Sequence, residues 1–355
     1  MRPVRVVAGL LAVSLAACGG ANDGKKDDDT SGPPRQTVRL LTHDSFAASK
    51  DVLAAFTART GITIELVQAG DAGAMVNQAV LTRGKPLADV LFGVDNTFLS
   101  RALDADLFVP YAPAALATVP DDHELDARHR VTPVDHGEVC VNYDKKWFAD
   151  HAVAVPQTLE DLARPDYRGL LVVENPATSS PGLAFLVGTV ARFGEPGWKE
   201  YWRRLRSNDV RVDAGWEEAY NGAFSGSAGK GDRPLVVSYA SSPPAEVVFA
   251  DPTPTDAPTG VVEDTCVRQI EFAGILKGTR HAAAARRVVD FLLSKEFQED
   301  MPLQMFVFPV LAEAALPAVF AKYAARPMTP LDVPAPKIGA NRDRWIREWT
   351  DTVIR

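Results

Sequence analysis

The 355-residue chain has little of what most readily betrays a function. Its six histidines, at positions 43, 123, 129, 136, 151 and 281, show neither H-x-x-x-H spacing nor a cysteine pair beside them, so no metal site is expected. No G-x-S-x-G elbow is present. The nearest approach to a phosphate loop is Gly226-Ser227-Ala228-Gly229-Lys230, but Gly231 follows the lysine where Ser or Thr is required, and the upstream glycine is misplaced. No apolar run reaches the roughly 18 residues of a membrane-spanning helix. Basic side chains are outnumbered, 38 Lys and Arg against 46 Asp and Glu, and form no stripe along which a phosphate backbone could lie. The formal charge of −8 therefore argues against nucleic acid as a partner and suits a protein that handles a cation. No cofactor is implied.

What is present begins with an export signature. Arg2 and Arg5 precede the apolar stretch Val6 to Ala17, which ends in Leu15-Ala16-Ala17-Cys18-Gly19. A basic flank, a short apolar core and small residues before a cut describe a secretory signal over 1–17. The Leu-Ala-Ala-Cys ending resembles a bacterial lipobox, which implies that Cys18 carries the lipid anchor, on the outer face of the cytoplasmic membrane. Residues 18–36, rich in Gly, Asp, Lys, Ser and Pro, are expected to be a disordered tether. Two cysteines remain, Cys140 and Cys266. In an exported chain a disulfide between them is expected, the alternative being two buried free thiols.

The 46% hydrophobic content is ample for a large core, and the length suggests two domains. Val38, Leu40 and Leu41 predict a buried strand with Thr42-His43-Asp44-Ser45 at its carboxyl end, followed by a helix ending near Gly61 and a second strand, Ile62 to Val67. This is a β-loop-α-β unit. In open α/β sheets ligands sit beyond the carboxyl ends of the strands, so His43, Asp44 and Ser45 are candidates for a pocket lip, although Asp44 or Ser45 could simply cap the helix. Ala88 to Val94 repeats the pattern, ending at Asp95-Asn96. Val131 to Tyr143, broken at Pro133 and Gly137, suits a crossover between lobes, and Arg268 to Leu276 a return crossover, after an exposed stretch from Asp251 to Gly260. His136, between Asp135 and Glu138, could serve as an acid/base group, but beside Pro133 and Gly137 a hinge role fits better. Ser180 before Pro181 predicts a helix N-cap, with Ser179 beside it at a helix end able to receive an oxygen or a phosphate. Leu235 to Ser238 is a strand running through Tyr239 into the Ser241-Ser242-Pro243 turn. A helical tail with Trp345 and Trp349 closes the chain.

Several of these segments together resemble the thiamine-binding lipoproteins that feed ABC importers. They are Thr42-His43-Asp44-Ser45-Phe46-Ala47-Ala48, Ala88-Asp89-Val90 with Asp95-Asn96, and Thr178-Ser179-Ser180-Pro181-Gly182-Leu183. Gly215-Trp216-Glu217-Glu218-Ala219-Tyr220, Ser238-Tyr239-Ala240-Ser241-Ser242-Pro243 and Phe306-Val307-Phe308-Pro309-Val310 complete the set, in the family's order and across nearly all of 37–350. The resemblance implies an α/β, type II periplasmic-binding-protein fold whose two lobes, joined by crossover strands, close on the ligand. Lobe 1 is expected over 37–139 and 267–320, lobe 2 over 140–266, and a C-terminal helical segment over 321–355. It also implies an aromatic cage for a flat cation, in which Trp216 and Tyr239 match as they stand. His43 occupies a position expected to hold Tyr, Phe306 one expected to hold Trp, and Lys50 one that can hold Trp. Ser179 and Ser180 match residues near the ligand's hydroxyl or phosphate end. The expected site is thus His43, Asp44, Ser45, Asp95, Ser179, Ser180, Trp216, Tyr239, Ser241 and Phe306.

The expected function is capture of thiamine or a thiamine phosphate by a non-catalytic, monomeric receptor that delivers it to ABC permease subunits. A polyamine receptor of the same fold would place several carboxylates along an elongated pocket. A ferric-ion receptor would need paired tyrosines, and no Tyr-Tyr pair exists. An exported thiamine-degrading enzyme would need a nucleophilic cysteine in the cleft, which a Cys140–Cys266 pair would not provide.

Overall fold

Ten strands form one sheet in the computed structural model, which describes residues 36–355. In chain order they are β1 (Gln36–Thr42), β2 (Ile62–Gln68), β3 (Val90–Asp95), β4 (Phe108–Val109), β5 (Thr132–Asp144), β6 (Leu171–Glu174), β7 (Arg211–Asp213), β8 (Leu235–Tyr239), β9 (Thr259–Leu276) and β10 (Phe308–Pro309). The main path runs β2-β1-β3-β9-β5-β8-β6-β7, with β4 added to β9 and β10 to β5. Pairing is parallel on both flanks, β2-β1-β3 and β8-β6-β7, and antiparallel in the centre, where the long strands β9 and β5 meet each other and both flanks. Parallel pairs need helical crossovers, and these helices cover the faces of each flank.

The first crossover is α1 (Lys50–Thr60). Its N-cap is Ser49, whose hydroxyl accepts from the Val52 N–H at 3.3 Å. Neither Asp44 nor Ser45 caps it, so both side chains are left to the loop beyond β1. Gly61 ends the helix in the left-handed conformation, φ 71°. Next, α2 (Ala72–Leu81) is capped by Asp71 and buries Met75, Val76 and Ala79.

On the other flank α3 (Ser180–Ser207) starts one residue before the sequence suggests. Ser179, not Ser180, is the N-cap, accepting from Gly182 N–H at 3.4 Å. A Cβ on Gly182 would lie 2.5 Å from the Glu174 carbonyl oxygen, so glycine is what lets the helix head seat on β6. Its backbone leaves helical geometry at Gly194 and Glu195. The C-terminal helix α4 (Ala335–Val353) packs on α3 through Trp202 and Trp349, edge to face at 5.5 Å. Glu195 accepts from the indole N–H of both Trp198 and Trp345, and Arg344 beside it holds its carboxyl down at about 2.

The return crossover is longer than expected. β9 begins at Thr259 rather than Arg268, and Thr259–Val262 pair with Val141–Asp144 of β5. The β-branched run Thr259, Val261, Val262 overrides the Pro/Thr-rich composition that precedes it. Cys140 on β5 and Cys266 on β9 are joined by a disulfide, with Cα atoms 4.2 Å apart. The expected pairing is present, and it ties the two strands shared by both flanks.

Candidate functional site

The loops beyond the carboxyl ends of β1 and β2, the head of α3 and the strands β8 and β9 converge on a cavity of about 310 Å³. Of the residues expected there, His43, Asp44, Ser45, Ser180, Trp216, Tyr239 and Phe306 line it. Asp95, Ser179 and Ser241 do not, because each is fully buried behind the wall. Asp95 accepts from Thr97 Oγ1, Phe98 N–H and Gln269 Nε2, and Ser179 is spent on capping α3. Ser242, not Ser241, reaches the wall. Lys50 is exposed at the start of α1, away from the wall.

Aromatic rings form much of the wall. Trp216 stacks on Tyr220 with centroids 4.8 Å apart and planes 13° off parallel, and its indole N–H donates to Ser238 Oγ at 2.9 Å. Tyr220, on a π-helical turn over Glu217–Ala223, donates its hydroxyl to Glu246 Oε1 at 2.9 Å. Opposite, Phe306 meets Phe249 edge to face at 5.6 Å. Tyr220 and Phe249 escaped sequence reading; a signal for Tyr220 was its helical i+4 spacing from Trp216.

Carboxylates supply the charge. Asp44, Asp71, Glu217, Glu246 and Glu271 line the cavity, and no Lys or Arg does. Asp71, missed in the sequence because it is also a helix cap, is the junction of three elements. Its carboxylate accepts N–H bonds from Ala72 at 2.6 Å, Ser180 at 3.1 Å and Trp216 at 2.9 Å, which joins α2 to the head of α3 and to the cage. Burial pushes the Asp71 carboxyl up, and these N–H bonds pull the other way. Burial likewise raises Asp44 and Glu246, with Glu217 and Glu218 adding to the shift at Asp44 and His43 opposing it.

His43 faces Glu271 of β9, with Nε2 3.6 Å from a carboxylate oxygen. Gly93 makes room for the ring: its φ is +97°, and a Cβ there would fall 2.3 Å from His43 Cδ2. Burial alone would lower the imidazole's basicity, but Glu271, and more distantly Asp71 and Asp44, raise it above the ordinary value. Glu271 in turn lies in register with Asp95 of β3 and Asp135 of β5, which makes a row of three acids across the sheet. Burial and then Glu271 push Asp135 well above the carboxylate range, while burial brings Asp95 to about 7. Among the described residues no group of three or more His, Cys, Asp or Glu is arranged to hold a metal ion. The arrangement can enclose a flat, positively charged organic molecule between rings, with acids around its edge.

Residues 85–330 match the family described as bacterial extracellular solute-binding protein. The chain is 30% identical over 326 residues to the thiamine-binding periplasmic protein of Escherichia coli (strain K12), covering 90% of this chain and 94% of that one. It is 26% identical over 327 residues to the protein of the same name from Brucella suis, covering 90% and 93%. The solved structure of a periplasmic thiamin binding protein superposes with a TM-score of 0.78 at 27% identity, over 90% of this chain and 96% of the other. The α/β architecture is thus the type II periplasmic-binding-protein fold.

Proposed function

We propose, for a chain that belongs to the family of bacterial extracellular solute-binding proteins, that the captured solute is thiamine and that the protein delivers it to an ABC importer. The observation that carries this reading is the cavity wall: stacked aromatic rings and five carboxylates with no Lys or Arg. A thiazolium ring is a flat cation, and each aromatic face offers it about 0.5–2 kcal/mol. The thiamine-binding proteins to which the chain is similar support the same ligand. The stacked rings favour a flat cation over a polyamine, which has no ring to stack on them. The protein acts as a receptor without catalysis; Cys140 and Cys266 are oxidised together and neither lines the cavity.

The two flanks of the sheet serve as the lobes, 37–139 with 267–320 and 140–266, and move about β5 and β9 to admit the ligand. His43, Asp44, Ser45, Ser180, Trp216, Tyr239 and Phe306 make direct contact, whereas Asp95, Ser179 and Ser241 support them from behind. The receptor is a monomer, held at the outer face of the cytoplasmic membrane through a lipid on Cys18, a residue outside those the structure describes. Titration calorimetry against thiamine, spermidine and ferric citrate tests the ligand. Micromolar or tighter binding of thiamine alone supports the reading, and absence of thiamine binding refutes it. Mass spectrometry of membrane-extracted protein tests the anchor, since an unmodified soluble product would exclude it.

A further inference from the structure

We propose that His43 is a built-in cation paired with Glu271, and that a cationic ligand takes over this pairing, so that each capture releases a proton. The inference rests on the reading of the cavity as a site for a permanently charged ring. Among the described residues that line the cavity, His43 is the only one able to carry a positive charge. It is held against Glu271 at 3.6 Å, its side chain 13% exposed and that of Glu271 9%, so bulk water screens the pair poorly. The ring has little room to swing aside, because it sits over the Cα of Gly93 and beside Phe92 at 5.8 Å.

The titratable groups near the imidazole are acids and one tyrosine. From β9 comes Glu271, with Asp95 of β3 and Asp135 of β5 in register on either side of it. At the head of α2 is Asp71, beside the ring is Asp44, and beyond Asp44 lie Glu217 and Glu218. Tyr239 faces the same row from β8, its hydroxyl kept protonated by burial and by these acids. With the cavity empty, Glu271, Asp71 and Asp44 favour imidazolium, while Asp95 and Asp135, whose carboxyls burial pushes up, add little charge. A thiazolium ring entering the same space brings a second, permanent positive charge within a few ångströms of the first. Like charges in a poorly screened cavity disfavour each other strongly, and only the imidazolium can lose its charge. Its ring proton passes to solvent, leaving a neutral imidazole against the ligand and Glu271 free to face the thiazolium. Tyrosine, the residue expected at this position, would be neutral before and after and would release nothing.

Calorimetry of thiamine binding in buffers of different ionisation enthalpy counts the protons released. At about pH 6, below the imidazole midpoint, the wild type should release close to one proton per ligand, and affinity should rise up to about tenfold per pH unit until His43 is neutral in the free protein. His43→Asn should bind thiamine with no release and a flat pH profile. A pH-independent wild type that releases no proton, or a release that survives in His43→Asn and so comes from a carboxyl, overturns the proposal. If thiamine does not bind at any pH, the functional reading fails separately. The pairing is then decided by NMR titration of the His43 ring in the unliganded protein. A midpoint above the ordinary value of about 6.5 that drops in Glu271→Gln upholds the pairing. A midpoint unmoved by Glu271→Gln overturns it.

Discussion

His43 and His136 lie on opposite faces of the central strands, and their basicities shift in opposite directions. Burial lowers both. His43 ends above the ordinary value because Glu271 and further acids face it. His136 falls to about 4 because its neighbours, His123, Arg268 and Arg326, add positive charge to the effect of burial. It belongs to a second cavity of about 360 Å³, where its ring stacks on Phe308 at 5.5 Å and meets His123 at 4.9 Å. The sheet therefore separates a face that favours a protonated histidine from one that favours a neutral histidine. Strand alternation does the sorting, since Asp135 and His136 are adjacent on β5 and point to opposite faces. The lesson is that burial pushes a histidine down, neighbouring cations add to that push, and only facing acids reverse it.

The largest expected effect breaks the partition itself. Replacing Cys140 and Cys266 with Ala removes the tie between β5 and β9 across a separation of 126 residues. The chain-entropy model then gives a loss of up to about 4–5 kcal/mol, visible in denaturant melts. Next comes the cage on the acidic face. Trp216→Ala should weaken thiamine binding by about 1–3 kcal/mol in calorimetry. Because Trp216 also stacks on Tyr220 and donates to Ser238, apo thermal melts should fall modestly; a collapsed melting temperature with unchanged affinity would assign the ring to the core.

The comparison is sharpened by pH. His136 is depressed when folded, so its contribution to stability is present above the unfolded value near 6.5 and is lost as pH falls toward about 4. His43 is raised, so its contribution is complete below 6.5 and is lost as pH rises through its folded midpoint. Stability curves of His136→Gln and His43→Gln against wild type should thus differ with opposite slopes, each at most about 1.4 kcal/mol per pH unit. Slopes of the same sign would refute the contrast. The smallest effect concerns phosphate. Asp71 already accepts the Ser180 N–H at the head of α3, where an anion would otherwise sit. Thiamine monophosphate should therefore bind no tighter than thiamine, within about 0.5 kcal/mol, and a large gain would mean that Asp71 gives way.

Much of the fold was legible because apolar periodicity marks strands and helices locally. The β1-loop-α1-β2 unit and the long crossover β5 both follow from such patterns. Caps are less legible: in Ser179-Ser180-Pro181 the choice of N-cap depends on which hydroxyl faces Gly182, which only the docked helix decides. The start of β9 was hidden because Thr259–Val262 becomes a strand only when β5 lies beside it. In the candidate site, His43 was legible from its place beyond a strand end, whereas Trp216 and Phe306 followed from the family resemblance. Asp71 and Glu271 were not, since one reads as a helix cap and the other as a strand residue until distant segments converge. Asp95 shows the reverse error, for its place at a strand end suggested the lip, yet Thr97, Phe98 and Gln269 draw it inward.

The central claim is that the acidic, aromatic face selects positive charge. It is tested most directly by titration calorimetry of the wild-type protein with thiamine and with thiochrome, a neutral planar analogue, at one pH and salt concentration. Ring stacking is common to both ligands, so their difference isolates the charge. Thiamine should bind at least about tenfold more tightly. Equal or tighter binding of thiochrome would contradict the account.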